Sequence, residues 1–462
     1  MFHENIYRKR RGDLRRQTAN GLILFLGNAE ASFNYPANTY HFRQDSDFLY
    51  FFGLDHPDLA AVIDVDSGSE IIFGNDLDMD DIIWMGPQPS MKDRSAKVGI
   101  TNTLPLGKLS EVVGEALEKN RKIHYLPPYR GDNLIKISEL LGISPAQVKE
   151  GISEDLIQAV VKLRIIKVEF EIKEIEFALD IAYEMHTTAM KMARPGIIER
   201  EIAGTIEGIA NSMGNGVSFP IILSIDGQTL HNHYHGNTLE KGRMMVTDAG
   251  AESLLHYASD ITRTVPVGGK FNDRQKEIYE LVLKASTDTI KEVKPGGSNR
   301  SNHLLAAEVI ASGLKDLGLM KGDVKEAVRK GAHALFFPHG LGHHMGLDVH
   351  DMEGLGENYV GYDHKIKRSD QFGLAFLRFG KEYEPGHVFT IEPGIYFIPA
   401  LIDLWRSENK FMDYINYDAV ESFKDFGGIR IEDDILVTHE GYKVLGKSIP
   451  KSVNEIEEIM GQ

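Results

Sequence analysis

"KGRMMVTDAG" spans Lys241–Gly250 and "PGHVFTIEPG" spans Pro385–Gly394. Each has a turn glycine, then an apolar run of strand type, then a carboxylate six residues after that glycine: Asp248 in the first, Glu392 in the second. The helical segments upstream repeat as well. "MKMARPGIIEREIAGTIEGIANSMG" and "IKEVKPGGSNRSNHLLAAEVIASGLKDLG" each read as helix, Pro-Gly break, helix, and Pro195-Gly196 matches Pro295-Gly296. Two like halves, each delivering an acid from a strand end, predict a domain with an internal pseudo-twofold repeat and a site on the axis between them.

Two further acids sit in strand-like sequence, Asp260 in "YASDITRT" and Glu432 in "GIRIEDDILV". An acid among β-branched and aromatic residues is costly to bury unless it is paired or bound to a cation. One such acid is commonly a salt bridge. Four, in matched halves, offset the charge of two divalent ions. An oxygen-rich set with one imidazole suits manganese and tolerates cobalt or zinc, and paired ions can activate water for hydrolysis.

The imidazole is sought in "HGLGHHMGLDVHDMEG", His339–Gly354. His339 and His343 are four apart, as in a helical zinc-protease motif, but that motif needs a helix and a glutamate beside the first histidine. Gly340 and Gly342 disfavour a helix, and no glutamate is there. "LHNHYHG" offers His231, His233 and His235, which would share one face of a strand.

Around these segments, the 462 residues suggest about two to four domains. Hydrophobic content of 42% and charged content of 26% are those of a soluble globular protein. A net charge of −17 argues against nucleic acid as a partner, because phosphate binding needs a positive surface. The basic run Arg8–Arg16 reads as the solvated face of an N-terminal helix. With no cysteine, disulfides, thiolate metal sites and cysteine nucleophiles are excluded. No apolar run is long enough to span a membrane and no signal-peptide core opens the chain, so a cytoplasmic protein is expected.

The first third reads as mixed α/β: a buried strand in "GLILFLG", and two strands around the turn Asp66–Ser69 in "AAVIDVDSGSEIIFG". A long helical stretch, roughly Ser153–Arg194, bridges to the rest, with the boundary placed near Lys167, giving domains 1–167 and 168–462. "GYKVLGKS", Gly441–Ser448, satisfies the pattern of a phosphate-binding loop. That mechanism needs a following helix within a parallel sheet, whereas Ile449-Pro450 follows here. A hairpin, "DILVT" then "YKVLG", is the expected structure.

Taken in order, "LHNHYH", "TDAGAE", "ASDITRT", "HGLGHHMGLDVHD", "TIEPGIY" and "GIRIEDD" resemble the catalytic blocks of the pita-bread metallopeptidases of the Xaa-Pro branch, aminopeptidase P and prolidase. "FRQDSDFLYFFGL" (Phe42–Leu54) resembles the N-terminal domain of aminopeptidase P. The resemblance covers nearly the whole chain. It implies a smaller N-terminal α/β domain and a C-terminal pita-bread domain, acting on proline-containing peptides and often assembled as a homodimer or homotetramer. It implies Asp248, Asp260, His343, Glu392 and Glu432 as ligands of two divalent ions, with Glu392 also the general base. His231, His339 and His350 would meet substrate, and Arg430 would orient the site. Arg378, in "FLRFGKEYEPG", would face a dipeptide's carboxylate. His233 and His235 are assigned to surrounding or surface positions, and Asp348 and Asp351 to supporting the loop.

The subtype signals divide. The long segment between Glu392 and Glu432 resembles a prolidase insert, whereas the N-terminal block favours aminopeptidase P, the reading adopted. One departure from the family pattern is that Asp248 and Asp260 are twelve residues apart, one more than usual. A hairpin loop or bulge would absorb the extra residue. Otherwise Asp260 would face the wrong way, since one step flips a strand residue.

Overall fold

The computed structural model describes residues 1–461, and they divide into two units. The first comprises Met1–Arg164 with Gly354–Tyr359; the second comprises 165–353 and the chain from Val360 onward. The helical stretch expected from Ser153 to Arg194 is two helices, Glu154–Arg164 and Glu169–Met192. Between them the backbone N–H of Lys167 donates to Gly386 O at 2.8 Å.

In the first unit a five-stranded sheet has the order Thr103–Leu104, Glu70–Phe73, Ala60–Asp64, Leu22–Leu26, Ile123–His124. The three central strands are antiparallel and the two edges parallel. Leu22, Leu24, Ala60, Val62 and Phe73 pack on Leu109, Val113 and Ala116, one stripe of the helix Leu109–Glu118.

The basic run departs from expectation. Lys9 and Arg16 are solvated, but Arg10 and Arg11 are buried in the helix Glu4–Gln17. The last carbonyls of the helix Ser46–Phe52 lack intrahelical partners, and these two arginines supply donors. Arg10 donates to Tyr50 O, and Arg11 donates to Phe51 O, Val98 O and the Glu70 carboxylate. Arg11→Met is therefore expected to destabilise the protein by about 2–4 kcal/mol by orphaning buried carbonyls. Urea unfolding measures this, and a change below about 0.5 kcal/mol would contradict the assignment.

The second unit carries the repeat. Glu169–Met192 and Glu199–Met213 form one helix pair, and Asp273–Lys291 and Asn299–Asp316 the other. Gly196 and Gly296 sit at φ 93° and 82°, where a side chain would be strained. Met244–Ala249 pairs antiparallel with Ile261–Pro266, and Val388–Ile391 with Asp433–Val437. The second ladder continues in the same register as Gly394–Tyr396 with Gly428–Arg430. Its gap holds Glu392-Pro393 opposite Ile431-Glu432.

"GYKVLGKS" is the expected hairpin: Tyr442–Val444 pairs with Asp433–Val437, and no helix follows directly. Among the described residues no helix is long and apolar enough to cross a membrane.

Candidate metal centre

The gap in the second ladder is what assembles the site. Freed from strand pairing, the Glu432 N–H donates to Thr262 O of the first half, and the Glu392 N–H donates to Leu341 O of the histidine-rich loop. That loop lies along the strand Val388–Ile391: the Thr390 N–H donates to His343 O and the Met345 N–H to Val388 O, both at 3.0 Å. Gly342 permits the approach, since a Cβ there would lie 1.8 Å from Thr390 O. Gly342→Ala is expected to push His343 away from Glu392, lowering kcat/KM by at least about tenfold and Tm by several degrees. Thermal melts and steady-state rates test this; wild-type values in both would refute it.

The halves are joined by alternation in "ITRT". Thr262 and Thr264 reach the second half: Thr262 Oγ1 donates to Glu432 Oε2 at 2.7 Å, and Thr264 Oγ1 donates to Arg430 O at 3.0 Å. Arg263, between them, donates to Asp433 at 2.7 Å. The consecutive acids of "RIEDD" thus part. Glu432 enters a cavity, Asp433 pairs with Arg263 and Lys451, and Asp434 accepts from the Asp260 N–H.

Between Asp248 and Asp260 the chain turns in a hairpin. The Ser253 N–H donates to Tyr257 O, and His256 takes φ 66°, the left-handed position of a three-residue loop. The His256 ring meets Glu252 at 2.5 Å, and Asp260 faces the cavity.

The cavity, about 860 Å³, is lined wholly by residues of the second unit. It brings together Asp248, Asp260, His343, Glu392, Glu432, His231, His339, His350, Arg378 and Arg430. His343 Nε2 lies 3.4 Å from Asp260 and 3.7 Å from Glu392. One ligand atom each from Asp260, His343 and Glu432 lie within 4.8 Å of one another. Oδ1 of both Asp248 and Asp260 is buried without a hydrogen-bond partner. Burial, with Glu432 and Asp248 adding like charge, raises the Asp260 carboxyl well above its usual range. Burial and Glu392 do the same to Glu432. Burial also pushes Glu392 up to about 7, outweighing the pull of Arg430. Crowded acids with orphaned oxygens, and the His343 imidazole within reach of Asp260 and Glu432, are a donor set that fits divalent cations.

Arg430 is a cation in contact with this cluster. It donates to Asp248 at 2.6 Å, to Tyr396 Oη at 2.9 Å and to Thr262 Oγ1 at 3.1 Å. Tyr396 also meets His339 Nε2 at 2.8 Å. On another wall Glu353 joins His350, at 2.6 Å, to Arg378. The hydrogen bond to His350 and the charge of Arg378 hold the Glu353 carboxyl down to about 2.

Tyr396 and Glu353 do not stand out in the sequence. Tyr396 is within reach of it, being four residues past Glu392 and so on the same side of a strand. His231, His233 and His235 are not on a strand; the segment is irregular. His231 and His233 line the cavity, while the rings of His233 and His235 both lie beside Ile221 O. Asp348 and Asp351 are outside the lining. Asp351 pairs with Lys167 at 2.8 Å, and both are buried.

The sequence matches two family models: Metallopeptidase family M24 over residues 173–439, and the Aminopeptidase P, N-terminal domain, over residues 7–125. The Xaa-Pro dipeptidase of Homo sapiens is 32% identical over 454 residues, covering 95% of this chain and 89% of the relative. A "Probable Xaa-Pro aminopeptidase pepP" of Botryotinia fuckeliana is 32% identical over 424 residues, covering 91% and 88%. Among solved structures, an Escherichia coli aminopeptidase P variant in complex with substrate superposes with a TM-score of 0.82 at 28% identity, covering 100% of this chain and 98% of that one. Aminopeptidase PepP of Pseudomonas aeruginosa gives 0.82 at 26% over the same shares. The fold is therefore that of a two-domain metallopeptidase, an enzyme. The chain belongs to metallopeptidase family M24, within its Xaa-Pro branch.

Proposed function

We propose that the protein is a metal-dependent Xaa-Pro aminopeptidase, hydrolysing the bond between an N-terminal residue and a following proline. The observation that carries this is the convergence of Asp248, Asp260, Glu392 and Glu432 with His343 in one cavity. These five would hold two divalent ions, manganese first, which when bound would activate water and polarise the scissile carbonyl. Glu392, at the edge of the cluster, accepts the proton of the attacking water. The Thr390 hydroxyl, 3.4 Å away, orients its carboxylate. Tyr396, held between His339 and Arg430, fixes the His339 ring at the cavity. His231 and His350, which line the cavity, would donate to oxygen as it gains charge.

Proline has no amide N–H, so its selection rests on shape and apolar contact. Phe219, Pro220 and Leu230 supply such a surface on the cavity wall.

A second reading, Xaa-Pro dipeptidase, is favoured by the Homo sapiens relative's name and by Arg378 at the cavity. Comparing Ala-Pro with Ala-Pro-Gly and longer peptides, in the presence of manganese, separates the two. Cleavage of the longer peptides is the expected result. Cleavage of the dipeptide alone would establish the second reading, and cleavage of none, with metal bound, would refute both. In the same assay Tyr396→Phe is expected to lower kcat by about tenfold to a hundredfold and to cost about 1–3 kcal/mol of stability by leaving the buried Arg430 donor without its partner; an unchanged kcat would remove Tyr396 from the site.

A further inference from the structure

The helix Pro399–Ser407 lies in the long segment between Glu392 and Glu432 and is apolar on two faces. Ile402 and Trp405 are buried and hold the helix in place; Trp405 stacks edge-on against Phe372 and Phe411 at 5.7 and 5.4 Å. Leu401 and Leu404, at helical spacing on another side, line the cavity. Asp403 and Arg406 are outside the lining and form salt bridges with other residues of the segment. A helix needs one apolar stripe to pack, so the second stripe is left facing a space that substrate enters.

Depth orders the cavity. Asp260, His343 and Glu432 are no more than 5% exposed, whereas Leu404 is 51% and Phe376 53% exposed. The acids form the floor and the leucines and phenylalanines the mouth. In an Xaa-Pro peptide a single residue precedes the scissile bond, so only the segment after proline is long enough to leave by the mouth.

We propose that Leu401, Leu404, Phe372 and Phe376 form an apolar subsite for the side chain of the residue following proline, giving this enzyme a preference at the third position of its substrate. The proposal rests on the aminopeptidase reading and adds to it a specificity built by Leu401 and Leu404 of the segment between Glu392 and Glu432 together with Phe372 and Phe376 before it. An apolar side chain entering the subsite removes its own surface and that of Leu404 from water. A charge placed at Leu404 reverses the preference by the same contact.

The test is kcat/KM for Ala-Pro-Leu, Ala-Pro-Gly and Ala-Pro-Lys with the manganese-loaded full chain, wild type and Leu404→Glu. The wild type is expected to favour Leu over Gly by about tenfold. In Leu404→Glu that ratio should fall towards one and the Lys to Leu ratio should invert. Because Leu404 is half-exposed, Tm should stay near wild type, and Leu404→Ser, which also loses the Leu preference without gaining one for Lys, separates charge from apolar contact. A wild-type ratio near one, or ratios that neither variant moves, would overturn the subsite and leave the peptidase reading standing. Cleavage of Ala-Pro alone would overturn both the aminopeptidase reading and the subsite. No cleavage of any Xaa-Pro peptide would overturn the peptidase reading itself.

Discussion

Glu392→Gln is expected to lower kcat by about 10³-fold, the range spanned by loss of a general base, while the folded structure persists. The amide keeps the volume of the carboxylate and can still accept from Thr390 Oγ1, so packing is conserved. It can neither take a proton nor contribute full charge to a cation. Burial makes the Glu392 carboxyl costly to ionise, and a neutral amide carries no such cost, so Tm of the metal-free protein should rise or hold, against the usual trend of a core substitution. Stability and turnover thus move apart, which a merely structural Glu392 would not allow. A kcat within about tenfold of wild type would remove Glu392 from the role of base.

Asp351→Ala is expected to destabilise the protein by about 3–5 kcal/mol, because it strands the Lys167 ammonium in a buried position. Lys167 and Asp351 are 2% and 1% exposed at their side chains and lie 2.8 Å apart. Asp351 Oδ1 also accepts from the Asp348 N–H at 3.5 Å, so the side chain helps hold the far end of the histidine-rich loop. The loss should therefore appear in urea unfolding and, through His343, in activity. Replacing both partners by apolar residues, Lys167→Met with Asp351→Leu, should recover much of the stability. If Asp351→Ala unfolds at the wild-type urea concentration, the pair carries no structural weight.

The repeat is legible in the sequence because strand-delivered acids and Pro-Gly breaks recur at matching positions, and a match of that length rarely arises by chance. Spacing alone therefore pairs Asp248 with Glu392, whereas Asp260 and Glu432 are read from their strand-like setting and join the set, with His343, through the family resemblance. The basic run Arg8–Arg16 misleads because charge density looks the same whether guanidinium groups meet water or buried carbonyls; the need for donors at the end of the helix Ser46–Phe52 is a property of the folded chain. "LHNHYH" misleads in another way, since alternation of like residues mimics a strand where the backbone is irregular. The apolar mouth is hidden because Leu401 and Leu404 read as ordinary core residues until Ile402 and Trp405 are seen to take that place. Tyr396 lacks only the inference that a residue four strand positions past an acid shares its face.

The most direct test of the metal centre is the rate of Ala-Pro-Gly hydrolysis by metal-stripped protein as manganese is added back. Activity is expected to be absent at the start and to rise to a plateau as two ions per chain bind. Full activity in the stripped protein, or none after two ions have bound, would contradict the assignment of these five residues to a catalytic metal centre.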